Sequence, residues 1–115
     1  MIDSYSFGVI VIDGKRYTAD VIILPNKVRE GWWRKEGGRL HLEDLQEVLG
    51  FKDSIDSLVI GTGHSGIMQV PNEVARELTA RNIEVTVEPT KQACKTFNEL
   101  VKSGRRVAAA LHLTC

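Results

Sequence analysis

The chain has 115 residues, 43% hydrophobic and 26% charged, the composition of one globular domain that can bury a core without a metal or disulfide staple. Lys and Arg total 15 and Asp and Glu total 15, so the overall basic excess of a nucleic-acid binder is missing. No apolar run approaches the roughly 18–20 residues that cross a bilayer, and no membrane partner is expected.

The chain starts Met1-Ile2-Asp3-Ser4. This carries neither the basic and apolar regions of a secretory signal nor the arginines of a mitochondrial leader, so a cytoplasmic location is expected. Phe7 to Ile12 reads as a strand rich in Val and Ile. Asp13-Gly14 predicts a tight hairpin, because a type I′ turn needs positive φ at both central residues. Tyr17 to Leu24 is the expected returning strand, ended by Pro25. Apolar residues in both alternating sets predict a hairpin covered on both faces. Residues 26–41 carry no period. They hold Trp32 and Trp33 among Lys27, Arg29, Arg34, Lys35 and Arg39.

Leu42, Leu45, Val48 and Leu49 have helical spacing, with Glu43 and Asp44 at the positive end and Gly50 as the stop. Ser57 to Ile60 is a strand. Pro71 opens a helix at its first position, with Val74, Ala75 and Leu78 inward and Asn82 closing it in the left-handed region. Ile83 to Val87 is a strand. Thr90 then caps a helix that buries Ala93, Phe97, Leu100 and Val101 and stops at Gly104. Arg106 to Leu113 is the last strand. Strands alternating with helices predict right-handed crossovers and parallel pairing. The expected architecture is a single three-layer α/β domain over residues 1–115. Its mixed sheet is parallel in the C-terminal half, with an antiparallel hairpin at the N-terminus.

Gly61-Thr62-Gly63-His64-Ser65-Gly66 follows a strand and matches Gly-x-Gly-x-x-Gly, and Glu88 lies 22 residues beyond it. A dinucleotide loop, however, needs a helix that starts within the glycines, so that free N–H groups meet the pyrophosphate. Pro71 puts the helix start later, and no cofactor is expected. Two readings remain for the loop. Its amides, with Thr62, His64 and Ser65, hold an anion or small polar ligand; or the glycines make a tight, closely packed turn. His112 and Cys115 raise Cys/His chemistry, against which stands the negative charge of a carboxylate on the last residue. Cys94 and Cys115 have no Cys-x-x-Cys spacing, so free thiols and no metal site are expected. Trp32-Trp33-Arg34 is either an interface cluster or a staple with one buried indole and a solvated Arg34.

Parallel strands would bring the ends at Gly61, Glu88 and Leu113 to one edge. There the glycine loop, with Trp33, Arg34 or His112, is expected to border a concavity suited to an anionic group. No general base with an orienting acid is evident, so binding is favoured over turnover. The sequence reading is a binding or interaction module for a small anionic ligand or a protein partner. An enzyme acting at the same pocket is the alternative, and contact with nucleic acid through the basic loop is not expected.

Several segments occur together and in order: Ile10 to Gly14, Asp20-Val21-Ile22-Ile23-Leu24-Pro25, Trp32-Trp33-Arg34, Gly61-Thr62-Gly63 with Gly66, Thr90 with Ala93, and His112-Leu113-Thr114-Cys115. In this the chain resembles, over its whole length, the small Mth-domain family of unknown function. Animal relatives of that family include an adipogenesis-associated protein and an assembly factor for respiratory complex I. The resemblance implies a three-layer α/β fold with a mixed sheet and a binding or assembly role, and it implies no catalytic mechanism.

Overall fold

Three runs of apolar residues make the centre of the molecule. In the computed structural model, which describes all 115 residues, the fourth strand β4 (Val21–Leu24), the sixth β6 (Ser57–Thr62) and the eighth β8 (Val107–His112) lie side by side. Nearly every residue of the three is buried, which is why they read as continuous rather than alternating apolar runs. Strands β5 (Lys27–Glu30) and β7 (Glu84–Glu88) complete a five-stranded sheet of order β5-β4-β8-β6-β7. β6 pairs in parallel with both β7 and β8, as the crossovers predict, while β4 is antiparallel to β8 and to β5. The sheet is therefore mixed.

Successive residues of the central strands point to opposite faces. Ala108, Ala110, Leu58, Ile60 and Ile22 face one layer. It is built from a 3₁₀ turn (Leu42–Leu45) running into α1 (Gln46–Leu49), and from α2 (Asn72–Ala80). Ala109, Leu111, Val59, Val21 and Ile23 face the other. That layer holds α3 (Thr90–Lys102) and a three-stranded antiparallel sheet of β1 (Ile2–Ser6), β2 (Val9–Ile12) and β3 (Lys15–Tyr17). No helix is long and apolar enough to cross a membrane.

The structure departs from the expected elements in ways with clear causes. The hairpin turn forms as expected, with φ of 49° at Asp13 and 81° at Gly14. Its returning strand, however, ends at Tyr17, and Val21–Leu24 belongs to the other sheet. The two-faced apolar character belongs to β4 alone. In β2 only Ile10 and Ile12 are buried, so the hairpin is covered on one face. β1 and β5 were not expected, because each is an edge strand with mostly polar, exposed side chains. Pro71 is the residue before α2 rather than its first, with extended ψ of 145°. Thr90 lies inside the first turn of α3 and does not cap it. Gly50 has φ of −63°, so it ends α1 without entering the left-handed region.

One side chain ties the small sheet to α3. The Ile2 N–H donates to Asn98 Oδ1 at 2.9 Å, and Asn98 Nδ2 donates to the Ile2 carbonyl at 2.8 Å. Asn98→Ala leaves both peptide groups of a buried Ile2 without a partner. The expected cost is about 1–3 kcal/mol in chemical denaturation, with faster hydrogen exchange at the Ile2 amide.

Candidate functional site

Register decides what meets at the carboxyl ends of the parallel strands. Thr62 pairs with His112 across β6 and β8. The antiparallel register Val21 with Leu111 places Asp20 opposite His112 on the other side. His112 follows the alternation of Ala108 and Ala110, so its ring faces the layer of α1 and α2, where residues 31–41 cross the sheet edge.

Those residues deliver Arg34. Trp32 is buried and donates from Nε1 to the Asp44 carbonyl at 2.9 Å. The Arg34 guanidinium lies over the Trp32 ring, 4.7 Å from its centroid, a cation–π contact. The Arg34 side chain is 6% exposed, which overturns the reading of a solvated arginine. Its Nη1 donates to Asp20 Oδ2 at 2.9 Å. His112 Nδ1 lies 2.8 Å from the same oxygen, and the Leu113 N–H donates to Asp20 Oδ1 at 2.8 Å. Arg34 Nε is buried with no partner.

The short approach of His112 Nδ1 to a carboxylate assigns that nitrogen the proton. Arg34 Nη2, 3.0 Å from Nδ1, is then a packed neighbour and not a second donor. Burial pushes the Asp20 carboxyl up. The hydrogen bonds from Leu113, His112 and Arg34, with the His112 charge, outweigh it and hold Asp20 below its ordinary value.

The structure thus brings Arg34 and His112 together at the expected edge, but the anion that they hold is Asp20 of the same chain. Asp20 also corrects the expectation that no acid orients the imidazole. When the imidazole is neutral, an Asp–His couple leaves the His112 Nε2 lone pair in the position of a base. No hydroxyl or thiol of the chain lies within hydrogen-bond distance of that nitrogen: Thr62 Oγ1 donates to the Glu88 carbonyl at 3.2 Å and Thr90 Oγ1 to the His112 carbonyl at 2.5 Å. Sequence reasoning missed Asp20. The available signal was an acid directly before a fully apolar run.

The glycine loop is closely packed. A Cβ on Gly61 would lie 2.8 Å from Thr90 Oγ1 and 2.9 Å from Leu111 Cδ2. Gly63 has φ of 104°, and its Cβ would lie 2.4 Å from the Cys115 carbonyl carbon, well inside contact distance. The amides are also engaged. Gly63 N–H donates to Thr90 Oγ1 at 2.9 Å, His64 N–H to the Thr114 carbonyl at 3.0 Å, and Gly66 N–H to the Gly63 carbonyl at 3.2 Å. Packing therefore accounts for these glycines without a ligand.

His64 and Ser65 are exposed. The His64 ring meets Phe7 edge-on at 5.4 Å, and its Nδ1 lies 3.3 Å from the Tyr5 hydroxyl. That hydroxyl gives its proton to the Leu113 carbonyl at 2.8 Å, so it accepts from His64. Trp33 is 77% exposed and lines a separate groove of about 450 Å³ with Arg29, Lys35, Glu43 and Glu47. Neither His112 nor the glycine loop lines this groove.

Comparison with known proteins agrees with the sequence resemblance. A family described as "Protein of unknown function (DUF498/DUF598)" matches residues 2–112. The chain belongs to this family. It is similar to the NADH dehydrogenase [ubiquinone] 1 alpha subcomplex assembly factor 3 of Bos taurus, at 34% identity over 110 residues. That match takes in 96% of this chain and 59% of the relative, so the chain spans about three-fifths of the length of the curated relatives it matches. A conserved hypothetical protein from Pyrococcus horikoshii OT3 has a similar structure, at 29% identity and a TM-score of 0.82, over 100% of this chain and 99% of that one. A Bordetella pertussis protein described as an Mth938-like domain shares the fold at 21% identity and a TM-score of 0.76, over 98% and 85% of the two chains.

Two predictions follow from the site. Because the Asp20 carboxyl lies below its ordinary value when folded, the stability it lends is complete above the unfolded value. That stability is lost as pH falls through the folded one. Asp20→Asn should therefore flatten the acid limb of the stability curve below about pH 4. Near neutrality it should cost about 3 kcal/mol, the lower end for breaking a buried pair, read from urea denaturation at several pH values. Burial also pushes the Cys94 thiol up to about 12, whereas Cys115 is exposed and both are free. A disulfide-exchange reagent at pH 8 should label one thiol per native chain, at Cys115, and two after denaturation without reductant.

Proposed function

We propose that this chain is a protein-binding domain of assembly type, acting in the build-up of an NADH dehydrogenase complex through the carboxyl edge of its central sheet. The supporting observation is the pair of large apolar side chains left exposed around the glycine loop. Phe7 is 56% exposed and Ile67 63%. Phe7 lies against the His64 ring, and Ile67 leaves the same loop, whose base is closed by the Met68 N–H on the Thr62 carbonyl. Large apolar side chains exposed near one another on a surface mark protein interaction sites. His64, Ser65 and Gly66 frame the patch in this reading.

The likeness to an assembly factor supports the same role. A small anionic ligand is the less favoured reading of this edge, because Asp20 already answers Arg34 and His112. A ligand anion would have to displace a carboxylate held by three hydrogen bonds.

The test is made in the source cell. Deleting the gene should lower the amount of assembled NADH dehydrogenase on native gels, and the wild-type chain should restore it. A Phe7→Ser/Ile67→Ser chain that keeps the wild-type circular dichroism should restore it poorly, since losing two anchors weakens binding by about 2 kcal/mol or more. Unchanged enzyme after deletion, or full rescue by the double variant, would refute the proposal.

A further inference from the structure

Two sheets present four edges, and three of them are closed. At β1, Asn98 occupies both peptide groups of Ile2, and the register slips between Ile2 and Ser4. β3 is three residues long and carries exposed Lys15 and Arg16. β5 carries exposed Lys27 and Arg29. Bulges, short strands and outward basic residues are the common devices against unwanted strand pairing.

β7 has none of them. It reads Glu84-Val85-Thr86-Val87-Glu88, without Lys, Pro or bulge, and pairs with β6 in unbroken register over all five residues. Its Glu84 N–H turns inward to the Asp56 carbonyl at 2.9 Å, and the Glu88 carbonyl turns inward to Thr62 Oγ1. Alternation along a strand then turns the N–H and C=O groups of Val85 and Val87 outward. None of these four groups bonds to another part of the chain outside the ladders. The Val87 side chain is 43% exposed.

The charges select the occupant. Glu84, Thr86 and Glu88 share the face toward α3, where Thr96 Oγ1 donates to Glu88 Oε1 at 2.6 Å and Arg105 reaches Glu84 at 3.7 Å. The strand reads the same in both directions. A second copy pairing antiparallel about Thr86 would therefore set Glu84 against Glu88 twice, and directly opposed like charges disfavour that pair. A strand with basic residues at those two positions and apolar residues opposite Val85 and Val87 gains at all four.

We propose that β7 is a docking edge for an extended segment of a partner protein, with the pattern basic–apolar–any–apolar–basic, added as a sixth strand. The proposal uses none of the residues of the Phe7–His64–Ile67 patch and stands independently of that reading.

The test uses two synthetic peptides with serine flanks, one centred on Lys-Val-Thr-Val-Lys and one on Glu-Val-Thr-Val-Glu. Amide exchange is read by NMR on the full chain, and affinity by fluorescence anisotropy. The lysine peptide should slow exchange at the Val85 and Val87 amides, and the glutamate peptide should not. Val87→Pro removes an outward N–H without touching the β6 ladder and should abolish that protection. Glu84→Lys, a solvent-facing change that also serves should the proline variant fail to fold, should lower lysine-peptide affinity roughly two- to five-fold. Equal protection by both peptides, protection by neither, or a peptide-free dimer paired through β7 would overturn the proposal.

Discussion

The carboxylate of Asp20 is the point on which the sheet edge depends. It sits between β4 and β8 and accepts from a guanidinium, an imidazole and a backbone amide. A carboxylate that is largely shielded from water, with 18% of its side chain exposed, is stabilised in its ionised form by such partners. Each partner has a consequence. Arg34 pins the irregular segment 31–41 to the sheet and lets its planar face rest on Trp32. His112 is fixed in one tautomer. Leu113 is held past the end of β8, so the chain continues beside the glycine loop instead of leaving the surface. The same arrangement accounts for the glycines: Gly63 has to be bare because residues 114 and 115 pass directly over it.

Most of the α/β frame was legible in the sequence. β6, β7 and β8 and the helices between them follow from apolar spacing, and the Asp13-Gly14 turn follows from its need for positive φ. What escaped notice was decided by partners distant in the chain. β1 and β5 are edge strands whose exposed polar residues mask the alternation that would reveal them. Thr90 looked like a helix cap because Thr commonly is one. Its hydroxyl instead bridges the Gly63 amide and the His112 carbonyl, a use that depends on β6 and β8 lying in parallel beside α3.

The candidate site was legible in composition and not in charge balance. The sequence reading set the glycine loop and Trp33, Arg34 or His112 around one concavity; in the structure Arg34 Nη2 lies 3.0 Å from His112 Nδ1. It could not indicate that Asp20, 14 residues from one and 92 from the other, would supply the counter-charge. That residue changes the chemistry on offer. A guanidinium and an imidazole free at a sheet edge would attract an anion; bonded to a fixed carboxylate they form an internal tie. The exposed features that remain, Phe7, Ile67 and Trp33, are apolar or aromatic and suit a protein surface better than a charged metabolite.

Leu113 connects the internal tie to the surface proposed for docking. Its N–H is spent on Asp20, while its carbonyl accepts from the Gly8 N–H at 2.9 Å and the Tyr5 hydroxyl at 2.8 Å. Gly8, with φ of 75°, makes the turn that presents Phe7, and Tyr5 in turn accepts from His64. One peptide unit therefore fixes the turn that carries the aromatic anchor and the ring it rests on, and is itself fixed by the Asp20 carboxylate. A docking surface supported in this way loses little conformational freedom when it binds, so more of its contact energy is realised as affinity. In the proposed docking role, the polar cluster at the sheet edge and the close packing of the glycine loop together hold the apolar patch in place.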